Sequence, residues 1–280
     1  MPCFSVNTEM GWWKKPASDT QVTHGDRFWL YVVATIIMLL LVIPTFIVIP
    51  MSFSDSQYLE FPPSNWSVRW YTEYFESAKW IRATVTSLQV GILTMLLATP
   101  LGTMAAYALF VSGHRAAKAI FLFLITPIIV PVILIAIGTF YAYGRVGLNN
   151  TITGLTLAHT ALAAPLVMIV ITAALRTYDL NQERVARSLG ATRLKAFFVI
   201  TLPQIKFSVL TAALLSFLAS FDEVIIAIFV SGGLNATLTK HMFSALRDFI
   251  DPTIAAISTI MVLVSTVLLL ATQFIGSRQK

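Results

Sequence analysis

A chain of 280 residues has room for one or two soluble domains, but 57% of it is apolar and only 11% is charged. Ordinary soluble domains carry about 45–50% apolar and about 25% charged residues. A sphere of this size cannot hide so much apolar surface, so a purely soluble protein is excluded and lipid must solvate part of the chain. The formal charge of +6 is explained below by where the basic residues fall, and the single cysteine, Cys3, excludes an intrachain disulfide and a thiolate metal site.

A membrane-crossing helix needs about 20 mostly apolar residues. Taken in chain order, a polar lead over residues 1–27 precedes a first apolar stretch from Phe28 to Phe53. That stretch is too long for the core of a secretory signal and no small-residue cleavage pattern follows it, so it reads as a retained helix. Trp66, Trp70, Tyr71, Tyr74 and Trp80 crowd the next segment. Aromatic rings with polar tips favour the water–lipid boundary, which predicts a segment lying along the membrane surface. Further spans are predicted from Thr84 to Val111, Ala119 to Tyr143, Gly154 to Leu175, Val209 to Val230 and Ile254 to Ile275. In lipid each must be helical, because a lone strand leaves its backbone groups unpaired. Pro100, Pro127, Pro131 and Pro165 interrupt these spans and predict kinks packed against neighbours. His159, alone in the fourth span, is expected to bond a neighbouring backbone group.

Six spans put both termini on one side. Lys14, Lys15, Arg27, Arg115, Lys118, Arg176, Arg184, Arg187, Arg193, Lys195, Lys206, Arg278 and Lys280 fall there, thirteen cations in all. The other side holds six: Arg69, Lys79, Arg82, Arg145, Lys240 and Arg247. Cytoplasmic loops retain Lys and Arg, so the bias predicts cytoplasmic termini and removes the need for a nucleic-acid partner.

The segment between the fourth and fifth spans, residues 176–207, is the most patterned part of the chain. Residues 182–189 are good helix formers, and Gly190 suits a left-handed terminating position. Thr192 can cap a second helix, whose apolar Leu194, Phe197 and Phe198 recur at helical spacing. Pro203 is expected to disrupt or redirect that helix. The prediction is helix, elbow, helix, with a basic outer face.

Ala186, Gly190, Ile200, Leu202 and Pro203 stand in register with a motif of type I ABC importer permeases: Glu-Ala-Ala, three residues, Gly, nine residues, Ile, one residue, Leu-Pro. Arg184 and Val185 replace the first two motif residues, and Glu183 lies one place early. The resemblance implies an all-α membrane protein with the MetI-like permease fold of this family, six transmembrane helices and cytoplasmic termini. Residues 1–27 would be a cytoplasmic tail and 28–280 the transmembrane permease domain, with 176–207 as its coupling loop. In that family the elbow docks into a cleft of the ATPase subunit, which implies coupling roles for Glu183, Arg184, Ala186, Gly190, Ala191, Ile200, Leu202 and Pro203. The usual acidic contact would be either absent or made from Glu183. Phe61 to Tyr71, His159 with Pro165, Ser220 to Val224, Phe229 to Gly232, and Asp251-Pro252 followed by Ile254-Ala255-Ala256 resemble the spermidine/putrescine branch.

Asp222 and Glu223 fall within the predicted fifth span. A carboxylate at bilayer depth costs roughly 2.5–3.5 kcal/mol on insertion scales, so each should face a wet cavity or a partner. Adjacent helical residues point about 100° apart, so one is expected on the solute pathway and the other against a neighbouring helix. A carboxylate on the pathway suits a cationic solute; a gate or an interhelical hydrogen bond is the competing role.

The chain has no Gly-x-x-x-x-Gly-Lys-Ser/Thr phosphate loop. It is therefore expected to catalyse nothing and to hold no cofactor or metal, with ATP and Mg bound by a partner. The resemblance implies a cytoplasmic ATPase pair, a second permease, an extracytoplasmic binding protein, and a multi-pass location in a bacterial plasma membrane. Small cationic solutes, polyamines first, lead the reading; iron(III), sulfate or an opine-like compound is the alternative cargo. A proton-coupled secondary transporter or channel is the rival class, though the spans show no convincing inverted repeat; an intramembrane enzyme is a third.

Overall fold

The computed structural model describes residues 24–248 and 250–277, with side chains as far as Thr266 and Val267. Cys3, Lys14, Lys15, Arg278 and Lys280, and most of the predicted 1–27 tail, lie outside the described residues. Among those described the chain is helical, with no strand and one isolated antiparallel bridge between Ser54 and Trp66.

Helix α1, Phe28–Met51, is apolar all round and buries none of its residues. Such a helix has no preferred inward face, so lipid or another chain must cover it. Its end is tied to α2, Arg69–Glu76, where Ser52 Oγ and the Tyr71 hydroxyl lie 2.7 Å apart. The rings of the aromatic segment divide between the protein interior and its outside. Trp70, Tyr74 and Trp80 are buried, and only Trp66 among the tryptophans there is exposed. Tyr74 and Trp80 pack with Leu238, Ala245 and Ile257, so these rings serve a core.

Helix α3, Ala78–Ser112, starts earlier than expected and is stopped by Gly113 in the left-handed region. Its Ala98, Gly102 and Ala106 recur every four residues and are all buried. A Cβ added to Gly102 would lie 2.7 Å from Val167 Cβ and 2.9 Å from the Ala164 carbonyl oxygen. Small residues on one stripe let two helix backbones approach closely, a common packing solution in membranes. Here the stripe seats α3 on α7, Ile152–Arg176, which runs unbroken through Pro165. Thr151 caps α7 by accepting from Gly154 N at 3.0 Å.

The predicted third span is not one helix. It divides into α4, Ala117–Leu124, α5, Thr126–Ile129, and α6, Val132–Val146. Pro127 opens α5, and Pro131, the residue before α6, follows an extended Val130. Proline lacks the N–H that would continue a helical ladder and disfavours helical backbone in the residue before it. The chain then continues through α8, Asn181–Ser188, α9, Arg193–Ala196, a π turn at Phe197–Thr201, and α10, Leu202–Phe221. Beyond α10 come α11, Ile225–Val230, α12, Leu238–Asp248, and α13, Thr253–Ser277.

Among the described residues four helical stretches are long and apolar enough to cross a membrane: Phe28–Met51, Ala78–Ser112, Ile152–Arg176 and Arg193–Phe221. Val132–Val146 is a shorter apolar helix, and α13 is apolar over Thr253–Val267, as far as its side chains are described. Helices α3, α7 and α10 form the centre. One core joins Ala98, Ala106, Val167, Ile171, Phe197 and Ile205 near the elbow, and a second joins Val90, Leu155, Ala158, Ile226 and Val230 at the far end.

Candidate functional site

The elbow begins with α8. Gly190 has φ +92°, its N–H donates to the Arg187 carbonyl at 3.0 Å, and the Ala191 N–H donates to the Ala186 carbonyl at 3.1 Å. These two bonds are the Schellman pattern that satisfies carbonyls left open at a helix end. The spacing of Ala186, Gly190 and Ala191 is therefore the spacing of a helix stop. Thr192 caps α9 as expected, accepting from Lys195 N at 3.3 Å.

Pro203 does not break the following helix. The chain runs on from Arg193 to Phe221, and the strain is taken up one turn earlier, where Leu202 N bonds the Phe197 carbonyl in a π turn. A π turn changes the carbonyl register, which accommodates a proline that can neither donate nor sit against the usual carbonyl. The expected apolar stripe also divides. Phe197 is buried against Tyr107, with ring centroids 4.5 Å apart, while Leu194 and Phe198 are exposed.

The outer face of the elbow is mixed where a basic face was expected. Leu189 is 84% exposed at its tip, beside exposed Val185 and Leu194 and the cations Arg184, Arg187, Arg193 and Lys195. Apolar side chains offered to water among charges fit a docking knob. An open cavity of about 360 Å³ lies alongside, lined by Met104, Tyr107, Val111, Arg193, Leu194 and Phe198.

Glu183 points the other way. The residue from which an acidic docking contact would come, if one is made, is only 3% exposed. Its Oε1 accepts from the Tyr107 hydroxyl at 2.7 Å, and its Oε2 accepts from Thr201 Oγ1 at 3.1 Å. The Tyr178 hydroxyl lies 3.0 Å from Thr201 Oγ1. Because α8 presents Glu183 inward, opposite the exposed Val185 and Leu189, the carboxylate faces α3 and the π turn. Arg184 bonds Asn181 Oδ1 at 3.2 Å on the exposed side, and Gln204 Nε2 donates to Gln182 Oε1 at 2.6 Å between α10 and α8. Sequence reasoning missed Tyr107, Tyr178 and Thr201. Their signal was a pair of tyrosines near the ends of apolar spans, since buried phenols need partners.

At the far end α10 stops at Phe221, so Asp222 and Glu223 do not sit on a continuing helix. The expected span to Val230 is interrupted by 222–224 before α11 begins, and the rule of 100° between neighbours does not apply. Glu223 Oε1 accepts from Ile226 N at 2.9 Å and so caps α11. Asp222 is exposed on an open cleft of about 760 Å³, which is lined also by Thr45, Leu166, Met261, Ser265 and Thr266. Deeper in, His159 Nδ1 lies 2.8 Å from Ser220 Oγ, which reaches Thr94 Oγ1 at 3.3 Å. The histidine thus bonds a side chain of α10, itself bonded to α3, where a backbone partner was expected. A second open cavity, about 390 Å³, is lined by Lys79, Arg82 and His241 and by no acidic residue. Among the described residues no cluster of His, Cys, Asp or Glu is placed to hold a metal.

Apolar helices around a tight three-helix centre, a broken span bearing carboxylates, and a polar-rooted elbow between two long spans define a multi-pass membrane permease. The profile of the binding-protein-dependent transport system inner membrane component matches residues 98–280. The chain belongs to that family, and it is a permease subunit of an ABC importer. Among its relatives is the putrescine transport system permease protein PotI of Escherichia coli (strain K12), 33% identical over 83% of this chain and 85% of that one. The spermidine/putrescine transport system permease protein PotC of Haemophilus influenzae is 30% identical over 84% of this chain and 91% of that one. The fold is shared with a bacterial ABC transporter involved in import of the acidic polysaccharide alginate. That likeness has a TM-score of 0.71 at 17% identity and covers 91% of this chain and 97% of that one.

Proposed function

We propose that this subunit carries a polyamine such as putrescine or spermidine inward across a bacterial plasma membrane. ATP and Mg are bound by a separate pair of ATPase subunits; this chain holds no cofactor and hydrolyses nothing. A second permease completes the pathway, and an extracytoplasmic binding protein delivers the solute. Both termini and residues 176–207 face the cytoplasm, in keeping with thirteen cations on that side against six on the other.

The observation that carries the reading is the elbow. Exposed Leu189 and its flanking cations stand on a helix stop made rigid by Gly190, between spans that end at Arg176 and begin at Arg193. A partner that grips the knob and moves it displaces both spans together. Arg184, Ala186, Gly190 and Ala191 shape the knob; Ile200, Leu202 and Pro203 set the junction with α10. The cargo assignment is supported by relatives named for putrescine and spermidine and by Asp222 on the wide cleft. The carboxylate attracts a cation there, and Glu223, whose Oε1 is held by Ile226 N, is the cleft's other acidic group; the rest are apolar or hydroxylic.

Uptake of labelled putrescine and labelled sulfate by whole cells tests the proposal. Putrescine uptake that requires this chain and the ATPase, and that sulfate does not compete with, is the expected result. Uptake that persists without the ATPase and collapses with an uncoupler would overturn the ATP-driven scheme, and competition by anions alone would overturn the cargo.

A further inference from the structure

We propose that Glu183 is a positioning residue that carries movement of the elbow directly into three spans, and is not a docking contact. The inference rests on the reading of residues 176–207 as the segment that couples to an ATPase.

The chain alone joins the elbow to the membrane only through the end of α7 and the start of α10. Glu183 adds a third connection. From α8 its carboxylate takes the Tyr107 hydroxyl, which belongs to α3, and the Thr201 hydroxyl at the head of α10. Thr201 donates its hydrogen to Glu183, so its oxygen is left to accept from the Tyr178 hydroxyl just beyond α7. The Tyr107 and Thr201 hydroxyls thus donate to the carboxylate, and Tyr178 joins it through Thr201. Thr201 is fully buried and Glu183 is 3% exposed, so the bond between them is shielded from competing water. Hydrogen bonds to a carboxylate are roughly twice as strong as neutral ones, and a low-dielectric setting makes the loss of one partner more harmful.

The placement of Thr201 gives the link its mechanical meaning. Thr201 closes the π turn that lies between α9 and α10. A π turn is a wider, less regular segment of helix, and such turns are common at functional sites. Without a brace, a push on α9 would be absorbed by that turn before it reached α10. With both Thr201 and Tyr107 held on one carboxylate, the turn, α3 and the tip of the elbow move as a unit. The ring of Phe197, packed on Tyr107, supports the same joint from its apolar side. Glu183 also accounts for the displaced acidic position in the sequence: on this α8, position 183 faces inward while Arg184 is exposed.

The test uses the complete importer, with both permeases, the ATPase pair and the binding protein, in proteoliposomes loaded with ATP. Solute moved per ATP hydrolysed is measured for Glu183→Ala, Tyr107→Phe, the double variant, Glu183→Gln and Leu189→Asp. This ratio does not depend on how many complexes survive, so a mere loss of folded protein leaves it unmoved. Glu183→Ala is expected to lower it about tenfold, a coupling loss of about 1.4 kcal/mol. Tyr107→Phe, which removes only the hydroxyl and leaves every exposed knob residue unchanged, is expected to lower it as well, and the double variant should be no worse than Glu183→Ala. Glu183→Gln should recover part of the loss, since its amide can still accept from Tyr107 and donate to Thr201. A parental ratio in both Glu183→Ala and Tyr107→Phe, with Leu189→Asp uncoupled, would overturn the link and leave the coupling loop standing. A parental ratio in Leu189→Asp as well would remove the coupling loop itself. Additive losses in the double variant would mean two independent contacts and would likewise overturn the link.

Discussion

Lys240 reaches back to the end of α11, where its Nζ donates to the Ile228 carbonyl at 3.1 Å and also to the Ser231 carbonyl. Glu223 holds the opposite end of the same six-residue helix by accepting from Ile226 N. An isolated helix this short is not stable, because nucleation outweighs the few bonds it gains. The two charges supply what the length does not: an anion at the N-terminus and a cation at the C-terminus, each matching the local partial charge. Replacing Lys240 with Met should therefore lower thermal stability in detergent, by about 1–3 kcal/mol for lost charge-assisted bonds. Lys240→Arg, which keeps the cation, should recover most of it; identical melting of all three proteins would refute the clamp.

Asp222 and Glu223 are adjacent but have separable tasks. Asp222 is exposed on the cleft, while Glu223 is occupied by α11. Asp222→Asn should raise the solute concentration for half-maximal uptake several-fold while assembly stays normal. Glu223→Gln should instead lower melting stability by about 1 kcal/mol, the usual scale of an N-terminal cap, with a smaller effect on solute dependence. Concentration-dependent uptake and melting curves of the two proteins distinguish these outcomes. If Asp222→Asn leaves uptake of a cation untouched, the electrostatic basis for the pathway fails.

Gly102 marks the closest approach of α3 to α7. Its added Cβ would meet Val167 at 2.7 Å and, more seriously, the Ala164 carbonyl oxygen, which belongs to rigid backbone. Gly102→Ala should destabilise the protein by about 1–3 kcal/mol, the range for overpacking a filled core. Gly138, whose Cβ would meet nothing within 4 Å, is the control, and Gly138→Ala should be close to neutral. Melting of both in the same detergent checks the contrast.

Much of this architecture could be read from the residues, because apolar length and helix stops are local properties. Gly190 as a helix terminator and Thr192 as a cap required only the neighbouring residues, and both stand where the pattern predicts. The break at Asp222 was concealed because Val224 to Val230 continue the apolar run, so hydropathy cannot separate one long helix from two pieces. Pro127 and Pro131 announced a disturbance, but whether a proline kinks or divides a helix depends on neighbours, as the unbroken passage of α7 through Pro165 shows. The inward orientation of Glu183 was hidden for a different reason. A charged residue on a short polar helix normally faces water, and its main partner, Tyr107, lies 76 residues away. No local pattern reports a pairing of that separation.

His241 introduces a pH dependence near neutrality. Its ring lies 4.2 Å from the Trp80 ring between centroids, and it lines the cavity that Lys79 and Arg82 share. Burial holds its imidazole below the ordinary 6.5, Lys79 pushes the same way, and Asp251 opposes both. The unfolded chain therefore takes up the proton first as pH falls below 6.5, and the folded protein loses stability relative to it. Stability should be complete above that value, decline as pH falls below it, and level off beneath the folded-state value. Melting measured at about pH 7.5 and about pH 5.5 should show this decline, and His241→Gln should flatten it. An equal acid sensitivity in His241→Gln would assign the effect to another group.

Gly190 separates two explanations of why the elbow needs a glycine. At φ +92° an L side chain is strained, yet its Cβ would meet nothing within 4 Å inside this chain. The requirement is therefore either backbone conformation or clearance for a docked partner. Left-handed backbone costs a non-glycine residue about 1–2 kcal/mol, and Asn and Asp tolerate it best. Gly190→Asp and bulkier replacements should leave membrane insertion intact while uncoupling ATP hydrolysis from uptake. The order within the series carries the distinction: if conformation governs, Asn should retain more coupling than the smaller Ala, and Val should retain least. If coupling instead falls strictly with side-chain volume, with Ala best and Asn behind it, the glycine serves clearance against the ATPase. Normal uptake per ATP across the whole series would take away the mechanical role of the elbow. Insertion, hydrolysis and uptake measured on the same proteoliposomes separate these results, because a folding defect lowers all three while a changed elbow lowers only the last relative to the second.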